Sequence, residues 1–241
     1  MGYRAVLRRL LERIYDRREL IILEKALEPA AAGRGQADGG ELVEAREGSA
    51  AEVLALSDIL NGGPGAEKRD AEFLSQGYRC AICFVDGDAV GSCWWTDARL
   101  LGSGTESRDP QISLFDITLE EGDAWGFRYR FPIAHRGGGN STRGLRAIED
   151  LLSREGYTRL VGCVAPENTA ARWLYQIRGF EPVRTVVMRL FLSFVAISGG
   201  RVFVKNWERR RLTTYPYRRL FVVPAGRRAP AVPGRDLPRP S

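Results

Sequence analysis

A glycine-rich run stands where one predicted strand ends and a predicted helix begins. Its residues are His135, Arg136, Gly137, Gly138, Gly139, Asn140 and Ser141. Glycines let several backbone N–H groups turn toward one point, and the N-terminus of a helix adds partial positive charge there. The guanidinium of Arg136 adds a charge-assisted donor. The run therefore predicts a site for a phosphate-bearing ligand.

Two common phosphate loops do not fit this run. It lacks the Gly-Lys-Ser/Thr ending of a P-loop, and its glycines do not have the GxGxxG spacing of a dinucleotide site. Neither a nucleoside triphosphate nor a dinucleotide is therefore the expected ligand.

A second motif indicates which phosphate-bearing ligand the glycine-rich run would bind. It reads Asn168-x-x-Ala171-x-x-x-Tyr175-x-x-x-Gly179-Phe180. Combined with Arg136-Gly137-x-Gly139-x-Ser141, it resembles the GCN5-related N-acetyltransferase (GNAT) superfamily. The interval between the two motifs leaves room for one helix and one strand, as that family requires.

The resemblance covers about Glu41 to Leu192 and has departures. The family usually has Pro three residues before the loop Arg, where this chain has Ile133. Ser141 replaces the last loop Gly or Ala. A predicted strand at Ile112 to Leu119 lengthens the middle connection, a region that commonly shapes the acceptor pocket.

The resemblance implies an α+β (mixed α/β) fold. We expect a mostly antiparallel central sheet with splayed fourth and fifth strands and helices on both faces. The hairpin signal Asp86-Gly87-Asp88 is consistent with that sheet.

The resemblance also assigns site residues. The cofactor would be acetyl-CoA, the acyl donor, with no metal. The residues that would bind it are Tyr129, Arg130 and Phe131 on the splayed strand, Arg136, Gly137, Gly138, Gly139, Asn140 and Ser141 in the loop, and Asn168. Asn168 could instead only cap its helix. Tyr175 is the expected general acid that protonates the leaving thiolate, and a core-packing role is its alternative.

The general base is less well defined by the sequence. Asp116, Glu120, Glu121 and Asp123 are the acids near the fourth strand, and we select Asp123 as the candidate base, with a solvated turn as its alternative. His135 is the only histidine in the chain, which argues against a His-dependent triad or a metal cluster. We expect it to have a structural or phosphate-contacting role.

Three regions are expected along the chain. Residues 1–40 form an N-terminal extension with a helix at 3–15 and a strand at Glu19 to Leu27. Residues 41–200 form the acyltransferase domain. Residues 201–241 form a basic, Pro-rich extension in which Val202 to Val204 and Leu220 to Val223 can add edge strands and Pro224 to Ser241 is disordered.

Composition bounds the location and partners. No apolar run is long enough for a membrane-spanning helix and no secretory signal is visible, so a cytoplasmic protein without an integral membrane segment is expected.

The four cysteines lie in strand-like runs and are expected to be buried thiols, with Cys80 and Cys83 on opposite faces. From Arg201 onward there are eleven Lys or Arg and two acids. This tail could contact an anionic partner or be only solvated.

The function that follows is acetyl transfer from acetyl-CoA to the primary amine of a small molecule, such as an amino sugar, amino acid or antibiotic, in a ternary complex. A homodimer is a further expected partner. The alternatives are an acyl carrier protein as donor, a protein as acceptor, or a nonenzymatic module that senses CoA or associates with nucleic acid.

Overall fold

The computed structural model describes residues 15–29, 42–62, 65–136, 139–191, 194–197, 201–204 and 218–222. The helix predicted at 3–15 lies outside these residues except for its last position, and Gly137, Gly138 and the segment Pro224 to Ser241 also lie outside them. Within these ranges, no helix has the length and apolar character needed to cross a bilayer.

One sheet forms the centre of the described structure. Its ten strands are arranged in the order β10-β9-β8-β7-β1-β6-β5-β4-β3-β2. All neighbours are antiparallel except β5 and β6, which are parallel. The strands are β1 Tyr15–Ala26, β2 Val43–Glu47, β3 Arg79–Val85, β4 Asp88–Asp97, β5 Asp123–Arg130, β6 Arg159–Val164, β7 Glu181–Phe191, β8 Phe194–Ile197, β9 Arg201–Val204 and β10 Arg218–Val222. The predicted fold class is confirmed. Strands also form at the two segments predicted after residue 200, but only β10 lies at the edge of the sheet, because β9 pairs with both β8 and β10.

Helices cover both faces of the sheet. They are α1 Ala50–Ser57, continued by a π turn at Asp58–Gly62, then α2 Ala66–Ser75, α3 Ala98–Leu101, α4 Pro110–Phe115, α5 Asn140–Arg154 and α6 Thr169–Ile177. Apolar side chains of α5 share one cluster with β2, β3 and β4, while α2 and α4 pack in two clusters on the opposite face. Below, these are called the α5 face and the α2 face.

The first strand corrects the predicted boundary at residue 40. Strand β1 lies in the interior of the sheet between β6 and β7 and pairs with both. Ile22 and Leu23 enter clusters on opposite faces, as expected for a central strand. Lys25 Nζ lies 2.6 Å from the buried carboxylate of Glu149, which also pairs with Arg178. This strand is therefore part of the domain and not a cover over it.

The strand predicted at Ile112 to Leu119 is also wrong. The structure has helix α4 there, followed by an extended segment. Asp109 Oδ1 accepts hydrogen bonds from the backbone N–H groups of Gln111 and Ile112 at 2.7 and 2.8 Å, and Pro110 is the first helical residue. Capping and a proline at the first position favour a helix despite the alternating apolar residues.

The cysteines confirm the expected alternation. Cys80 belongs to a cluster on the α2 face and Cys83 to the cluster on the α5 face. All four thiols are free, and burial raises the pKa of each one above its usual range. Among the described residues there is no group of three His, Cys, Asp or Glu that could hold a metal ion.

Candidate active site

The parallel strands β5 and β6 separate part-way along their length. They pair only from Asp123 to Trp125 on β5, opposite Arg159 to Val161 on β6. The next residue on each strand is a glycine, Gly126 on β5 and Gly162 on β6. A Cβ on Gly162 would lie 3.2 Å from the carbonyl oxygen of Gly126. Beyond this point β5 has an open edge toward β6. We call the opening the fork.

Strand β5 carries a bulge at the fork. Trp94 of β4 lies opposite Phe127 and Ser92 lies opposite Arg130, so β5 has one residue more than its partner over this stretch. Arg128 has a φ of 52°, in the left-handed region that arginine rarely adopts. A bulge bends the strand that carries it, and here the side chain of Arg128 lies on the α2 face beside the Phe73 ring.

The end of β5 is clamped between two glycines. A Cβ on Gly91 would lie 2.4 Å from the Phe131 ring, and a Cβ on Gly144 would lie 2.2 Å from it. Tyr129 Oη donates a hydrogen bond to the carbonyl oxygen of Ser141, and burial raises its pKa well above the usual value, so the phenol keeps its proton. These contacts fix the first turn of α5 against β5. Sequence reasoning missed this role of Gly144, although a glycine inside a helical pattern is a signal of close packing.

The glycine run connects β5 to α5 at the mouth of the fork. A 3-10 turn covers Ile133–His135, and Arg136 Nε donates to the carbonyl oxygen of Phe131 at 2.7 Å. Gly139 precedes α5 with a φ of 82° and provides no side-chain cap. The first N–H groups of a helix have no acceptor within the helix, so α5 presents donors and partial positive charge here. His135 is half-buried beside this loop.

Helix α6 brings Tyr175 to the α5 face. Asn168 Oδ1 accepts from the backbone N–H of Ala171 at 3.2 Å, so Asn168 caps the helix as one reading of the sequence expected. The Tyr175 ring packs edge-on against Phe180 with centroids 4.9 Å apart. Burial is the main cause that raises the pKa of Tyr175 above its usual range, followed by the nearby thiols of Cys93 on β4 and Cys163 on β6. The phenol thus lies near strands on both sides of the fork and holds its proton at neutral pH.

Counted from β2, the two strands that separate are the fourth and the fifth, and the glycine run lies between the fourth and helix α5. This is the arrangement that the sequence resemblance implied. The chain has the GNAT fold.

Solved structures with a similar fold include GNAT proteins. A conserved protein of unknown function from Staphylococcus epidermidis matches with a TM-score of 0.48 and 11% identity, over 78% of this chain and 67% of that chain. A GCN5-related N-acetyltransferase from Sphaerobacter thermophilus matches with a TM-score of 0.44 and 15% identity, over 78% of this chain and 56% of that chain. An aminoglycoside N-acetyltransferase in complex with CoA has a TM-score of 0.42 and 19% identity, over 61% of this chain and 93% of that chain.

The chain thus spans less than two thirds of the Sphaerobacter protein. No protein-family model matches the sequence, and no curated protein is significantly similar to it. These matches carry no information about the reaction, so the chemistry follows from the residues at the fork.

Asp123 does not fit the role of general base in this GNAT fold. It lies at the closed end of the fork, where β5 and β6 are still paired, and is 3% exposed. Its carboxylate accepts from Arg159 Nε at 2.9 Å, from a second Arg159 nitrogen, and from the backbone N–H of Glu120 at 2.6 Å. The prediction is therefore corrected: Asp123 holds the start of β5 against β6.

The structure brings the remaining predicted residues together in part. Tyr129, Phe131, Arg136, Gly139, Asn140 and Ser141 surround the junction of β5 with α5, as the preceding contacts show. Arg130 is exposed at the end of β5. Asn140 Oδ1 accepts from Arg143 Nη2 at 2.6 Å, which brings a further guanidinium to the first turn of α5. Sequence reasoning missed Arg143 at this junction, and it missed Arg128.

Proposed function

We propose that this protein transfers the acetyl group of acetyl-CoA to the primary amine of a small molecule. The observation that carries the proposal is the fork of β5 and β6, which lies between an uncapped helix N-terminus and a protonated, half-buried tyrosine. We also keep as proposals that the protein is cytoplasmic, that it forms a homodimer and that its basic tail contacts an anionic partner.

The residues at the fork fit CoA in three parts. The amides of the first turn of α5, with Arg136 and Arg143, suit a pyrophosphate. The open edge of β5 at Tyr129 to Phe131 can pair with the two amides of the pantetheine arm in the manner of an added strand. Asn168 and Tyr175 come from α6 and would flank the distal end of that arm. Glycines at positions 91 and 144 keep the strand end and the helix close enough for all three parts to act together.

Tyr175 is the proposed acid for the transfer. An amine nitrogen forms a bond to the thioester carbon, the carbon–sulfur bond breaks, and the sulfur receives the phenolic proton of Tyr175. The amine releases its own proton to solvent, and Tyr175 is reprotonated from solvent after the products leave. Because its pKa is raised, Tyr175 is protonated before each turnover, as an acid must be.

The loop is tested by ligand stabilisation of Gly139→Glu. We expect acetyl-CoA at a hundredfold excess over its Kd to stabilise the wild type by about 2.7 kcal/mol, and to stabilise Gly139→Glu far less. The reason is that the new carboxylate would lie in the anion cradle. Thermal unfolding with and without acetyl-CoA measures both values.

Gly156→Glu is the matched control for that experiment. Gly156 has a φ of 91° just after the other end of α5, and an added Cβ would meet nothing there within 4 Å. The Gly156→Glu substitution therefore introduces the same charge and a similar backbone strain, but at a position away from the loop. Acetyl-CoA should stabilise Gly156→Glu as it does the wild type. If the wild type itself gains no stability, the proposal fails.

The corrected role of Asp123 gives a separate prediction. Asp123→Asn removes the charge that pairs with Arg159, so we expect a loss of about 1–3 kcal/mol in the free energy of unfolding. At temperatures where the variant is folded, kcat should be unchanged. The control is Glu121→Gln, which breaks the exposed ion pair with Arg99 and should change neither quantity. A large fall in kcat with unchanged stability would restore Asp123 as a base.

A further inference from the structure

Arg128 holds a partly buried positive charge on the α2 face of the fork. Its guanidinium carbon lies 5.5 Å from the centre of the Phe73 ring of α2. Across the described residues the guanidinium makes no hydrogen bond and no ion pair. A half-buried cation that no carboxylate contacts directly is unfavourable, so its presence beside the fork calls for a function.

The surroundings of Arg128 add positive charge. Arg69 of α2 lies near it, and Arg69 Nε is 3.7 Å from the fully buried carboxylate of Asp70. Arg130 on the same strand is exposed, and Cys80 of β3 belongs to the same apolar cluster as Phe73. Burial, and then the charge of Arg69, lower the pKa of Arg128 to about 10, so it is still a cation at neutral pH.

The backbone of Arg128 is strained at the same position. Its φ of 52° belongs to the bulge, and such conformations in non-glycine residues gather at functional sites. Because the bulge starts the open edge of β5, the side chain stands next to the fork. Tyr175 approaches the fork from the α5 face and Arg128 from the α2 face. The attacking amine must reach the thioester from the side that α5 and α6 leave open.

We infer that the acceptor carries a carboxylate near its amine, as an amino acid does, and that Arg128 binds this carboxylate. A substrate carboxylate would neutralise the half-buried charge of Arg128, and the planar guanidinium matches its two oxygens. The inference rests on the proposed function, because it names the substrate class of the same site. Within the set of amino sugars, amino acids and antibiotics, it selects the amino acids and their derivatives.

The experiment compares acids with their carboxamides on the full-length protein. Amino acids and the corresponding amino acid amides are tested as acceptors by release of CoA, and N-acetyl amino acids and their amides are tested for binding by calorimetry. We expect kcat/KM for the acids to exceed that for the amides by about 10- to 100-fold. In Arg128→Asn this preference should disappear through a higher acceptor KM. In Arg128→Lys the preference for acids should be intermediate, because lysine keeps the positive charge but lacks the planar pair of guanidinium donors.

Asn tolerates a positive φ, so Arg128→Asn is expected to fold, with a melting temperature near that of the wild type and unchanged affinity for CoA. Arg99→Gln, at an exposed arginine, is the control and should leave the preference for acids unchanged. Equal rates for acids and amides, or an Arg128→Asn enzyme that still prefers acids, would overturn the inference and leave acetyl transfer intact. If no acetyl-CoA binds but N-acetyl amino acids bind through Arg128, acetyl transfer fails and the carboxylate site stands. If no N-acetyl amino acid binds and no amino acid is acetylated, the carboxylate site is rejected.

Discussion

Tyr175→Phe should lower kcat by about 10²- to 10⁴-fold while the affinity for CoA stays the same. The substitution removes one oxygen and keeps the ring that packs against Phe180. It therefore deletes the proposed proton donor without opening a cavity in the α5 face. Steady-state kinetics with the best amine acceptor, together with calorimetric titration of CoA, measure the two quantities separately.

A second tyrosine provides the matched control. Tyr157 lies at the closed end of the fork, where its hydroxyl donates to Asp97 Oδ2 at 2.6 Å. Tyr157→Phe should lower the melting temperature slightly and leave kcat unchanged. If Tyr175→Phe and Tyr157→Phe had the same kcat as the wild type, Tyr175 would be only a core residue.

The pH dependence of kcat tests the same role in the unmodified protein. Because burial raises the pKa of Tyr175 above its usual value of 10, the phenol stays protonated between pH 7 and pH 9.5. An acid is lost only when pH rises through its pKa, so loss of this proton should cause no decline of kcat below about pH 10. A decline centred near pH 8 that is absent in Tyr175→Phe would contradict the raised pKa.

Gly144→Val should both lower the stability of the protein and abolish its binding of CoA. The nearest Phe131 ring atom would lie 2.2 Å from the new Cβ, and Tyr129 Oη would lie 3.1 Å from it. The ring must move, which we expect to lower the free energy of unfolding by about 1–3 kcal/mol or more. It would also displace the end of β5 from the first turn of α5. Thermal unfolding with and without acetyl-CoA reports both losses.

The cause of the Gly144→Val effect can be isolated by a double-mutant cycle. Phe131→Leu makes room for the valine, so the double variant should be more stable than the sum of the two single changes predicts. Strict additivity would show that the effect comes from valine in the helix and not from contact with Phe131.

Much of the fold could be predicted because its signals are local. Alternation of apolar residues placed Cys80 and Cys83 on opposite faces, and glycine spacing located the turn before α5. The fork was expected only through the resemblance to a family. Gly126 and Gly162 become informative only in the folded structure, where a Cβ on either one would make a tight contact with the neighbouring strand.

The errors arose where distant residues decide the outcome. The apolar run in β1 predicted a strand, but its place between β6 and β7 depends on residues more than a hundred positions away. Asp123 was predicted to be the general base because it is an acid near the fourth strand. The parallel pairing of β5 with β6 places Arg159 beside it, and this contact could not be read from the sequence. At α4, an alternating pattern was outweighed by the cap of Asp109 and by Pro110. The left-handed conformation of Arg128 has no signature in its own sequence, because the bulge is imposed by pairing with β4.

Hydrogen exchange of the full-length protein with and without CoA tests the central claim most directly, because it reports where the ligand lies on the backbone. With CoA bound, exchange should slow at residues 128–131 on the open edge of β5 and at residues 139–142 in the first turn of α5. Exchange in β2 and in β8 to β10 should be unchanged. Slower exchange confined to other elements, or no change at any position with CoA in excess, would contradict a CoA site in the fork.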